Sequence, residues 1–134
     1  VTSEEVAVHD PEALGLALVC ARTADLEHGL EVMVLDVGDI LGVTGYFVIL
    51  HAGNRRLVRT LADRIEERAR EECGRSPLRV EGAGEQQWVL IDFGDVVVHI
   101  FLDEIRRFYE IERLYTDAPR VDWVDRGSQE SAGD

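Results

Sequence analysis

The sequence predicts an α/β (α+β) fold, a single domain with one mixed β-sheet of about five strands and helices packed on it. Three observations lead there. Two apolar runs of strand length, VMVLDV (32–37) and GYFVILH (45–51), carry little alternation, as strands do when both sheet faces are covered. Two other segments, 10–29 and 54–74, repeat apolar residues at helical spacing. The elements follow in the order α β β α β β β α within 134 residues, room for one core and little more.

The first helix is announced by its start. Asp10 can cap it, Pro11 suits the first helical position, and Glu12 complements the positive end of the dipole. Leu14, Ala17, Leu18, Ala21 and Ala24 then recur at helical spacing, and Gly29 is the expected stop. The strands at 32–37 and 45–51 follow. NRRLVRTLADRIEERAREECG (54–74) is the strongest helix, with Asn54 as cap and Gly74 as stop. Leu57, Val58, Leu61, Ala62, Ile65, Ala69 and Cys73 form its apolar stripe, and Arg59, Asp63, Glu66, Glu67 and Arg70 its solvated face. LRVEG reads as a short strand and GAGE (82–85) as a turn. Residues 87–102 read as two strands about a tight turn at Phe93-Gly94, where glycine supplies a positive φ. Residues 103–115 read as a turn leading into a short helix, and the polar stretch from 116 is expected to fray. The expected divisions are an extension over 1–10, the domain over 11–115 and an acidic tail over 116–134.

Charge narrows the function. Twenty-seven acidic residues against fourteen basic ones leave a net charge of -13, and every basic residue is arginine. Such a surface repels phosphate at long range, which argues against direct nucleic-acid specificity and favours a basic partner surface. No stretch is apolar enough to span a membrane, and the start, VTSEEVAVHD, lacks the basic and apolar regions of a secretory signal, so cytoplasm is the expected location. Cys20 and Cys73 lie far apart within helical patterns and are expected to stay unbridged.

Catalytic motifs fail on inspection. Asp92-Phe93-Gly94 matches the metal-binding triplet of protein kinases, but the chain has no lysine, no glycine-rich loop and no HRD segment. Asp92 and Asp95 flank a turn, where aspartate bonds to local amides, and their spacing is wrong for carboxylates converging on magnesium from one strand. Asp36 and Asp39 repeat that spacing beside Gly38. The histidines at 9, 28, 51 and 99 form no ligand pattern. His99, inside VVVHIF, reads as a hydrogen-bonded structural residue or as a partner contact. No catalytic residue, metal or cofactor is expected. Trp88 stands out because it opens a strand after a polar turn, at a rim or in the core, and tryptophan is enriched in interaction hot spots.

The ordered series LDV, TGYFVI, NRRLVRTLADRIEE, VEG, WVLIDFGDVVVHIF, RRFYEIERLY and DAP resembles the bacterial ribosomal silencing factor family, also called Iojap-like, from about residue 11 to 119. The resemblance implies a nucleotidyltransferase-like topology without a catalytic site. It also implies binding to the large ribosomal subunit through a basic protein, ribosomal protein fourteen. That position would sterically block the small subunit and repress translation when nutrients are short. Carried over by position, it implies partner contacts at Trp88, Leu90, Asp92, Asp95, His99, Arg107, Phe108 and Tyr109. Three positions depart from the family pattern: Gly45 replaces an aspartate, HAGN stands at 51–54 for a serine-glycine loop, and Tyr115 stands where tryptophan is common. The alternatives are a nucleotidyltransferase-like enzyme acting on nucleotides with magnesium, and a homodimer formed through exposed strand faces.

Overall fold

The computed structural model describes residues 10–125; the rest of the expected extension and residues 126–134 lie outside the described residues. Helix α1 (Pro11–Leu26) starts at the Asp10 cap, whose carboxylate accepts the Glu12 amide at 2.9 Å. It ends at Leu26, two residues short of where Gly29 as the stop would end it, with His28 taking the left-handed turn at φ 74°. Gly29 lies just past that turn because a side chain there would press on Leu50 and the Ala24 carbonyl. Strand β1 (Leu30–Asp36), a one-turn helix α2 (Gly38–Leu41) and strand β2 (Tyr46–Ala52) follow. Helix α3 (Arg55–Cys73) is bounded by the expected residues: Asn54 accepts the Leu57 amide at 2.8 Å, and Gly74 closes the helix at φ 65°. Strands β3 (Arg79–Glu81), β4 (Trp88–Asp92) and β5 (Val96–Leu102) lead into helix α4 (Asp103–Tyr109). A 3-10 helix (Ile111–Tyr115) and strand β6 (Arg120–Val121) complete the described chain.

The expectation of one mixed sheet with packed helices holds, in the order β3-β4-β5-β2-β1-β6. β2 and β5 run parallel and every other pairing is antiparallel. The sixth strand comes from residues expected to fray. Arg120 and Val121 pair with Leu35 and Val34, the Trp123 indole donates to the Val32 carbonyl at 3.1 Å, and Arg22 donates to the Trp123 carbonyl at 2.8 Å. A polar composition does not report a backbone ladder made to a distant strand.

Helices α1 and α3 cover one sheet face. Val58, Leu61, Ala62, Ile65 and Ala69 of α3 meet Val89, Ile91, Val96, Val98 and Ile100 in the larger core, each large side chain contributing about 1.5–3 kcal/mol on burial. The opposite face carries Leu35, Phe47, Ile49 and Phe101, with Ile105, Ile111 and Ala118 from α4 and beyond packed on it. No long helix lies there, so β4 alternates between buried and half-buried positions. No helix among the described residues is long and apolar enough to cross a membrane.

Candidate functional site

The site grows from the β4–β5 hairpin on the less covered face. Register pairs Trp88 with Phe101, Leu90 with His99 and Asp92 with Val97, and the period of two puts all six on one face. His99 in turn pairs with Ile49 of β2. Trp88 opens β4 because the preceding turn closes tightly over it. Gly82, at φ 85°, lies so near the Trp88 carbonyl that any side chain would collide with it.

Trp88 is half-buried. Its ring lies 4.7 Å from Phe101 and 5.2 Å from Tyr109, and its indole Nε1–H donates to His99 Nδ1 at 3.2 Å. An indole nitrogen only donates, so Nδ1 is the unprotonated, accepting nitrogen of a neutral imidazole. His99 is only 5% exposed, and burial pushes its pKa down to about 4. It is therefore a buried, hydrogen-bonded histidine with Trp88 as its donor. Phe47 packs edge-on against His99 at 4.6 Å and against Tyr115 at 5.3 Å. An aromatic row thus runs from Tyr109 through Trp88, His99 and Phe47 to Tyr115. Phe108 extends it outward, 4.9 Å from Tyr109 and 78% exposed, and Leu114 nearby in sequence is 75% exposed.

The aspartates are engaged locally. Asp92 accepts the Gly94 amide at 2.8 Å and the Arg79 guanidinium at 3.1 Å. Gly94 takes φ 96°, and the Phe93 amide reaches the Val96 carbonyl at 2.9 Å, closing the turn. Asp95 is held by both terminal nitrogens of Arg75, at 2.7 and 3.2 Å, and Arg75 also donates to the Phe93 carbonyl at 3.1 Å. Asp95 thus ties the hairpin turn to the loop after α3 and stands apart from the aromatic row. The two carboxylates do not converge, and no group of three or more potential metal ligands occurs among the described residues.

Arg107 points outward and pairs with Asp103 one turn away at 2.9 Å. Its neighbour Arg106 is the buried one. It donates to the Glu31 carbonyl at 2.9 Å and to His51 Nδ1 at 2.9 Å, with Glu112 at 3.5 Å. His51 faces Asp103 at 3.4 Å through its other nitrogen. Burial lowers the His51 pKa, the Arg106 charge lowers it further, and Asp103 and Glu31 oppose both. Sequence reasoning named Arg107 and passed over Arg106, His51 and Phe47. No local signal separated Arg106 from Arg107, because which of two adjacent helical residues faces inward is set by how the short helix α4 is rotated on the sheet. An open cleft of about 280 Å³, lined by Met33, Leu35, Tyr115 and Ala118 among others, adjoins the row at Tyr115. That volume is below what a drug-sized ligand usually occupies, so the face offers contact area more than a chamber.

The model of the family described as "Ribosomal silencing factor during starvation" matches residues 10–134. The chain is 36% identical over 104 residues to "Ribosomal silencing factor RsfS" of Bacillus subtilis, covering 78% of this chain and 87% of that one. It is 29% identical over 92 residues to "Mitochondrial assembly of ribosomal large subunit protein 1" of Mus musculus, covering 67% of this chain and 40% of that one. A crystal structure of a protein from Bacillus halodurans is similar in fold, with a TM-score of 0.69 and 33% identity over 84% of this chain and 99% of that one.

Proposed function

Because the chain belongs to the ribosomal silencing factor family, with the ribosome-associated silencing role that membership carries, we propose that it acts by docking and occlusion. The aromatic row around Trp88 binds the large ribosomal subunit through a basic protein, ribosomal protein fourteen, and the bound chain keeps the small subunit away. Translation falls for as long as the site is occupied. No substrate is turned over and no cofactor is used. One observation carries this reading: a row of rings ending in the exposed Phe108 lies on the sheet face that α1 and α3 leave free. Exposed aromatic side chains anchored on rigid elements are the usual centres of interface energy. The net charge of -13 supplies attraction to a basic partner, and the name of the mouse relative also points to the large subunit. Leu90 and Tyr109 add contact area, Asp92 contributes charge, and Arg107 lies at the polar rim.

Co-sedimentation with purified large subunits tests this. Trp88→Ala is expected to weaken binding by about 2–4 kcal/mol, and Phe108→Ala by at least about 1 kcal/mol without loss of stability. Wild-type binding by both variants, each unfolding cooperatively, would move the interface elsewhere. The exposure of Phe108 and Leu114 also favours self-association through the same face. A dimer that Phe108→Ala dissolves while subunit binding stays intact would assign the row to that contact instead.

A further inference from the structure

We propose that His99 is a positioning residue, whose Nδ1 holds the Trp88 indole in its docking orientation before a partner arrives. The inference rests on the docking reading above. His99 sits in the middle of β5, between Val98 and Ile100, both fully buried. A valine or isoleucine would suit that strand position and bury no polar atom. The imidazole instead loses its hydration, and its Nε2 is buried without a hydrogen-bond partner. The hydrogen bond given to the ring is the one from Trp88 Nε1, at 3.2 Å. What histidine adds over an aliphatic residue is therefore an acceptor for this indole.

Phe101 at 4.7 Å and Tyr109 at 5.2 Å confine the indole by contact, but contact alone leaves it free to turn in its plane. The bond from Nε1 removes that freedom. Phe47, 4.6 Å from His99 on its other side, keeps the acceptor itself in place, and Tyr115 backs Phe47 at 5.3 Å. A large side chain ordered before docking loses less entropy when it docks, which raises affinity with no new contact. His99 need not touch the partner to do this.

The test uses the full chain. His99→Phe keeps a ring but removes the acceptor, whereas His99→Asn places its side-chain oxygen near the former Nδ1. Nitrogen-15 spectra follow the indole resonances of Trp88 and Trp123, assigned with Trp88→Phe, and co-sedimentation with purified large subunits reads binding. In His99→Phe the Trp88 indole signal should move and broaden, that of Trp123 should stay, and binding should weaken about fivefold, the worth of one neutral hydrogen bond. His99→Asn should recover most of both. In the unmodified protein the His99 Nδ1 shift should be that of an unprotonated nitrogen, a readout independent of whether any variant folds. A protonated Nδ1 at neutral pH overturns the inference, as does a cooperatively folded His99→Phe that binds like wild type while Trp88→Ala loses binding. If Trp88→Ala itself binds normally, the docking reading fails first.

Discussion

Arg106 donates from Nη1 to His51 Nδ1 at 2.9 Å, joining α4 to the central strand β2 with both side chains buried. The same nitrogen reaches the Glu31 carbonyl where β1 bulges, and Nε faces Glu112 of the 3-10 helix. One guanidinium thus fastens the segment that carries Phe108 and Tyr109. Arg106→Ala should cost about 1–3 kcal/mol in urea unfolding, because it leaves the buried His51 ring, the part-buried Glu31 carbonyl and the Glu112 carboxylate without their shared donor. Arg106→Lys should recover little, since an ammonium cannot span three directions as the planar fork does. Loss below about 1 kcal/mol in both would show the network to be dispensable.

The Arg75–Asp95 pair is expected to matter for stability and not for docking. Asp95→Ala and Arg75→Ala should each lower stability by about 1–2 kcal/mol, with most of the loss shared in a double-mutant cycle. Subunit binding by the folded variants should match wild type. A binding defect in Asp95→Ala that Arg75→Ala does not share would return Asp95 to the interface.

His99 sets a pH dependence. Its pKa is about 4 in the fold against an ordinary value of 6.5, so the unfolded chain binds the proton more readily. Its contribution is therefore complete above the unfolded value and is lost as pH falls from 6.5 toward 4, by about 3 kcal/mol. The rings beside it, Trp88, Phe47 and Phe101, carry no charge that would offset this. His51, also lowered, adds a loss of the same sign. Denaturant midpoints between neutral and acid pH should fall in wild type and fall less steeply in His99→Phe. Equal slopes would place the lost protons elsewhere.

Salt should act on the rate of encounter. If a chain of net charge -13 is drawn to a basic partner, association slows as ionic strength rises from about 0.01 M to about 0.15 M, where the screening length drops from about 30 to about 8 Å. Dissociation, governed by the desolvated rings, should change little. An association rate flat across that range would remove charge from the mechanism and leave the aromatic row untouched.

Magnesium and nucleotide should find no site. Asp92 and Asp95 face different arginines, and two carboxylates alone leave most of an octahedral shell to water or phosphate. Titration with millimolar nucleotide and magnesium is expected to give no heat of binding. Nucleotide transfer by the wild-type chain that vanishes in Asp92→Asn/Asp95→Asn would overturn the non-catalytic reading.

The sequence alone determined the features whose physics is local. Asn54 and Gly74 bound α3 because a cap and a left-handed stop act within one helical turn. Gly94 placed the hairpin turn, and the strands of 32–37, 45–51 and 87–102 were legible as apolar runs. Trp88 was visible as a large ring beside a polar turn, and the words around it pointed to the family. Only the tertiary structure decided what these residues touch. Trp88 and His99 are eleven positions apart and meet through strand register, while Phe47 enters the same row from a parallel strand. Whether Arg106 or Arg107 is the buried arginine depends on how α4 leaves β5, not on their identical side chains. Strand β6 and the Trp123 contacts depend on the free edge of β1, nearly ninety residues earlier in the chain. Pairing across such separations is selected by the closed shape of the whole sheet, and no local pattern encodes it.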